Sequence, residues 1–187
     1  MNNSSFIYPW GPLLFKQTME PSDLKYYLDN LNDTFNIDMD NYFGKVRRKE
    51  YNGNLKFRKL FSPYIKNYLK EDGMYGLGFY ISAFWINIYE NNSFVPPHTH
   101  NGCDLSFVFF LKVPPKESLN DPNEGNVCFT YGDPQHTSIK TKKIWMHSIS
   151  PKIGEIYIFP SNLNHYTIPI SDPKLVRISV SGNILLK

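Results

Sequence analysis

Two of the five histidines stand one residue apart in "PPHTHNGCDLSFVFFL" (96–111), just ahead of a strongly apolar run. In an extended segment, residues i and i+2 point to the same side. Pro96 and Pro97 hold the chain extended here, so His98 and His100 project together. Two imidazoles on one face make a bidentate grip for a metal ion. A third ligand must come from elsewhere. "GEIYIFPSNLNHYTIPI" (154–170) offers His165, in a polar loop after a strand that ends at Pro160. Further on, in "LVRISVSGN", Arg177, Ser179 and Ser181 alternate with Ile178 and Val180. That pattern gives one polar face to a strand that otherwise reads as core. An arginine turned inward needs an anion, and its fork fits a carboxylate in two-pronged fashion.

Each feature also has a plain structural reading. A single histidine is more often a surface residue or a hydrogen-bonded core residue than a ligand. Arg177 could pair with Asp172 or Glu155. His136 and His147 lie in connecting segments and read as surface or packing residues, and Cys103 reads as a small structural residue.

The elements that must hold these side chains follow from pattern. "PSDLKYYLDNLNDTF" (21–35) reads as a helix, with Pro21 and Ser22 as start signals and Leu24, Tyr27, Leu28 and Leu31 on one face. A second helix is expected over "SPYIKNYLKED" (62–72), stopping at Gly73. Residues 1–20 look irregular around "YPWGP". After Gly73 the texture changes to short aromatic and β-branched runs: "GLGFYISAFWINIYE", "LSFVFFLKV", "NVCFTYG", "KKIWMHSIS", "GEIYIFP" and "LVRISVSGNILL". Gly, Pro, Asn and Asp separate them. The expected class is α+β, mainly β. A jelly-roll core of about eight strands in two facing sheets runs over 75–187, with helical support from 1–74 packed outside it in a single domain 1–187.

Composition narrows the partners. Aromatics make up 16% of the 187 residues, enough to fill a core with rings. The net charge of +3 gives no nucleic-acid signal, and "KVRRKE" (45–50) reads as a solvated surface. No window approaches the ~20 apolar residues that span a bilayer. Cys103 and Cys128 do not form a CxxC pair, and no secretory signal is visible, so a cytoplasmic location is expected.

Taken together, "FWINIYENNSFVPPHTH", "LSFVFFLKVP", "GEIYIFPSNLNH" and "RISVSGN" resemble the iron(II)- and 2-oxoglutarate-dependent oxygenase superfamily over roughly residues 75–183. They look closest to a group with a His-x-His motif found in bacteria and bacteriophages, which would place a phage-encoded form in the host cytoplasm. The resemblance implies a double-stranded β-helix that holds iron(II) through His98, His100 and His165. It implies 2-oxoglutarate as cosubstrate on Arg177 and Ser179, with molecular oxygen and a further substrate as reactants. The outcome it implies is hydroxylation coupled to decarboxylation of 2-oxoglutarate to succinate, with a prolyl residue as one substrate by analogy. The chain departs from the superfamily at the second ligand, where a carboxylate is usual and His100 stands. Asp104 is the rival for that place, since Gly102 could bend it inward. The alternative in another class is a jelly-roll module that binds metal or sugar without turnover. Arg177 discriminates, because such a module has no need of an inward arginine after the last ligand.

Overall fold

The computed structural model describes residues 5–7, 14–31, 41–43, 46–50, 55–130 and 146–187. Eleven strands and two α-helices are found there: β1 (Ser5–Ile7), β2 (Leu14–Thr18), α1 (Pro21–Asp29), β3 (Asn41–Phe43), β4 (Val46–Glu50), α2 (Leu55–Glu71), β5 (Phe79–Tyr89), β6 (Leu105–Lys112), β7 (Val127–Thr130), β8 (Met146–Ile149), β9 (Glu155–Pro160), β10 (Asn164–Thr167) and β11 (Arg177–Leu186). The large sheet runs β1-β2-β9-β6-β11-β5-β4-β3 and the small one β10-β7-β8. All the pairings are antiparallel. This is the expected mainly β jelly-roll arrangement with helices on one side. Among the described residues no helix is long and apolar enough to cross a membrane.

Alternation along the strands gives the large sheet two different faces. On the outer face Phe84, Phe107, Phe109, Ile156, Ile158 and Val180 are buried in one cluster with Tyr27 of α1 and Phe57, Phe61 and Tyr68 of α2. Phe61 stacks on Phe107 with ring centroids 4.1 Å apart. Tyr27 meets Phe57 edge-on at 4.1 Å and donates its hydroxyl to the Phe57 carbonyl at 2.9 Å. Tyr64 ties the helices together: its hydroxyl accepts from the Glu20 amide at 2.9 Å and donates to Asp23 at 2.6 Å. It thereby caps the start of α1 from the neighbouring helix. Between the two sheets a smaller apolar cluster joins Phe110, Tyr157 and Phe159 to Val127, Phe129 and Leu163.

Three expectations change. Helix α2 starts at Leu55, seven residues before the expected Ser62, and runs through Pro63. An interior proline costs about 3 kcal/mol. Phe57 and Phe61 are both fully buried, and each contributes about 1.5–3 kcal/mol, enough to match or outweigh it. The N-terminal segment is also more than helical support. Strand β2, read as irregular chain, pairs with β9, and β4, read as solvated surface, pairs with β5. Val46 is fully buried while Arg47 and Arg48 are half-buried, so the basic run hides a strand behind its charge. The proposed helix residues 32–35 and His136 lie outside the described residues.

Candidate active site

The extended segment after Pro96–Pro97 lies along β10. His98 and His165 exchange both backbone hydrogen bonds at 3.0 Å, and the His100 amide donates to the Ser161 carbonyl at 2.9 Å. His165 therefore sits on a short strand paired with β7, not in the polar loop expected for it. Four residues beside a turn carry too little pattern to read as a strand. The three rings come together: centroids are 4.2 Å apart for His98–His165, 5.1 Å for His98–His100 and 5.2 Å for His100–His165. One ligand nitrogen from each lies within 4.8 Å of the others.

Every Nδ1 of the trio is already engaged. His98 Nδ1 meets the Pro96 carbonyl at 2.9 Å, His165 Nδ1 the Leu163 carbonyl at 2.9 Å, and His100 Nδ1 the Asn183 side-chain oxygen at 2.7 Å. With Nδ1–H donating, each Nε2 keeps its lone pair, the form a metal requires. Burial keeps the rings neutral. It lowers the pKa of His98, and it takes His100 to about 4 and His165 to about 3, with the neighbouring His98 adding to both shifts.

A cavity opens beside the rings, lined by all three histidines. Its walls include Trp85, Asn87 and Tyr89 of β5 and Ser179 of β11. Trp85 Nε1, Asn87 Oδ1 and Ser179 Oγ are buried without hydrogen-bond partners. Arg177 is the first residue of β11 and is 1% exposed. Its guanidinium lies 3.7 Å from the centre of the Tyr89 ring, donates to the Gly125 carbonyl, and leaves Nε unpartnered. Burial lowers its pKa and Tyr89 opposes that shift. The structural alternative for Arg177 is not what the structure shows. Glu155 pairs with Lys16 at 2.6 Å, and Asp172 accepts from the Lys174 amide at 2.8 Å. Arg177 itself lines a smaller cavity next to Gly125, with Tyr89 reaching from its guanidinium to the histidine cavity.

The family described as "Putative 2OG-Fe(II) oxygenase" matches residues 83–183, more than half of the sequence. The chain belongs to this family. Iron(II) and 2-oxoglutarate are accordingly the cofactor and cosubstrate of this oxygenase, and oxygen is its other reactant. No curated protein sequence matches it significantly. Solved structures share its fold at low identity. A Pseudomonas putida prolyl-4-hydroxylase is 13% identical with a TM-score of 0.57, covering 92% of this chain and 91% of that one. The viral collagen prolyl hydroxylase of Paramecium Bursaria Chlorella virus-1 is 12% identical with a TM-score of 0.58, over 91% and 94%. The non-heme alpha ketoglutarate dependent epimerase SnoN from nogalamycin biosynthesis is 15% identical with a TM-score of 0.61, over 92% and 76%.

The residues present suit what the oxygenase family uses. Three neutral imidazoles are a fitting donor set for iron(II). The orphaned Trp85 Nε1 and Ser179 Oγ and a buried guanidinium with no carboxylate partner among the described residues suit a dicarboxylate. Asp104 is not brought to the cluster: its carboxylate accepts from the Leu186 amide at 2.8 Å, at the far end of β11. His147 lies on β8, opposite Phe129. Cys103 is half-buried, with its thiol directed to the His100 carbonyl at 3.9 Å. Sequence reasoning gave no role to Asn183, Asn87 or Trp85. Asn183 closes the "RISVSGN" motif. Asn87 and Trp85 stand at alternate positions of β5, directly across from Ser179 and Ser181, and that periodicity was the available signal.

Proposed function

We propose that this oxygenase holds iron(II) through Nε2 of His98, His100 and His165, takes 2-oxoglutarate with its far carboxylate on Arg177, and hydroxylates a C–H bond of its substrate as a single domain. The observation that carries the reading is the arrangement of three imidazoles with every Nδ1 engaged and one ligand nitrogen of each within 4.8 Å of the others. When bound, iron(II) with 2-oxoglutarate would activate molecular oxygen, one oxygen atom going to the C–H bond and the other to the succinate formed with carbon dioxide. The chain's part is placement. The imidazoles arrive neutral because burial holds them so, and no proton has to leave before a metal binds. Arg177 anchors a carboxylate by a charge-assisted fork, and Ser179 Oγ is free to donate to it. Trp85, Phe110 and Phe159 wall the cavity against water.

Hydroxylation is preferred over other oxidations because two of the similar structures are prolyl hydroxylases, and a peptidyl proline is the first substrate to test. The epimerase among them makes epimerisation the competing outcome. The decisive measurement is anaerobic titration with iron(II) and then 2-oxoglutarate, watched for the visible charge-transfer band of the chelated cosubstrate. Its absence would return the chain to a binding module without turnover. Metal content of His100→Ala and Asp104→Ala resolves the second ligand, and greater loss in Asp104→Ala would reassign it.

A further inference from the structure

The three histidines are not oriented in the same way. His98 and His165 each send Nδ1 to the carbonyl two residues earlier in their own segment, Pro96 and Leu163. His100 does not use that device: the carbonyl two residues back, that of His98, accepts from the His165 amide. Its partner comes instead from β11, where Asn183 Oδ1 lies 2.7 Å from His100 Nδ1.

Asn183 is itself held in place. It pairs across the sheet with Ser106, a residue 1% exposed whose hydroxyl donates to the same Asn183 oxygen at 3.3 Å. The β5–β11 register shifts between Asn183 and Ile184, and a bulge of this kind redirects a side chain beside a site. Gly182, just before it, has no room for a side chain: a Cβ there would stand 2.5 Å from the Ala83 carbonyl oxygen and 2.5 Å from the Phe107 ring. Trp85 lies against the face of the His100 ring, centroids 5.8 Å apart and 15° from parallel. Indole on the face and amide oxygen in the plane leave His100 one orientation.

We propose that Asn183 is the positioning residue for His100, fixing its ring and its Nδ1–H tautomer so that a histidine can serve where related enzymes use a carboxylate. The proposal rests on the reading of His100 as a metal ligand. The partner is an amide oxygen, so it orients the ring without adding charge. Outer partners of this kind change metal affinity by about 10- to 100-fold when removed.

The test uses the full chain and two probes, cobalt(II) and anaerobic iron(II), with affinity measured by competition against a chromophoric chelator. Asn183→Ala should bind each about 10- to 100-fold more weakly, and its cobalt(II) ligand-field spectrum should move toward that of His100→Ala. Asn183→Asp keeps the acceptor and should restore affinity. In a His100→Ala background, Asn183→Ala should produce no further loss, which a general structural defect would not reproduce. If Asn183→Ala does not fold by circular dichroism, Asn183→Leu, of similar volume and without an acceptor, carries the same expectation. Parental affinity and spectrum in folded Asn183→Ala, alongside weakened His100→Ala, overturn the positioning role alone. Parental affinity in His100→Ala overturns the ligand reading and the positioning role together.

Discussion

The two faces of the large sheet are made by the same strands and could hardly differ more. On β11, Val180 and Ile184 enter the aromatic cluster under the helices, while Arg177 and Ser179 turn the other way. The helix-covered face is apolar, dense with rings and closed by bonds such as Tyr27 to the Phe57 carbonyl. The opposite face holds a buried cation and polar atoms with nothing to bond. Burying a polar group without a partner costs about 1–3 kcal/mol. One face therefore supplies the stability that the other spends, and a strand period of two keeps them apart.

That contrast can be broken one residue at a time. The largest effect is expected from His98→Ala or His165→Ala, which should each abolish tight iron binding while leaving the metal-free protein folded. Elemental analysis gives the answer, and full iron occupancy in His165→Ala would sink the ligand assignment. Arg177→Ala follows. Losing one partner of a buried charge pair costs about 2–5 kcal/mol, roughly 30- to 3,000-fold in 2-oxoglutarate affinity, with iron retained. Arg177→Lys should recover only part, since an ammonium cannot form the fork. Calorimetric titration of 2-oxoglutarate into the manganese-loaded variants reads both, and unchanged affinity in folded Arg177→Ala would refute the cosubstrate role.

On the other face, Phe61→Ala should cost about 3–5 kcal/mol of stability, seen as a lower denaturation midpoint, with metal affinity of the folded protein unchanged. A parallel loss of metal affinity would show that the faces are not separable. The smallest effect concerns alkali. Tyr64 and Tyr68 have pKa values raised above the ordinary 10, chiefly by burial, with Asp23 and Asp72 adding to the shift. The folded value is the higher one, so their contribution is intact below pH about 10 and is lost as pH rises beyond it. Chemical denaturation from pH 9 to 11 should show that decline, and Tyr68→Phe should flatten it. A slope unchanged in Tyr68→Phe would assign the alkaline loss elsewhere.

The face proposed to hold the metal and cosubstrate was the more readable one. His98 and His100 announce themselves by their spacing behind two prolines, and Arg177 and Ser179 by alternating with Ile178 and Val180. The β strands after Gly73, β10 excepted, were legible from pattern too: apolar runs with turn residues between them. Pattern failed where context decides. Nothing in "VRRKE" marks β4 as a partner of β5, because the charges that suggest solvent are carried by arginines lying half-buried along the sheet. The second helix was expected from Ser62, and the packing of Phe57 and Phe61 carries it back to Leu55. Asp104 and Asn183 show the limit most clearly. Both lie near the proposed ligands in sequence or motif, yet only a three-dimensional register sends one to the Leu186 amide and the other to His100.

The backbone bridge between His98 and His165 has a thermodynamic consequence. Two peptide hydrogen bonds join chain segments far apart in sequence. Backbone freedom at both residues is therefore surrendered during folding, and the Nδ1 bonds to the Pro96 and Leu163 carbonyls restrain the rings. A centre assembled in this way behaves as a socket. Ions of different identity should enter and leave it without unravelling the chain, and the gain in melting temperature on loading should track the free ion concentration relative to its dissociation constant. Selectivity for iron would then have to come from supply in the cell and from the cosubstrate that binds beside it, because a rigid trio of imidazoles does little to discriminate among divalent ions of similar size.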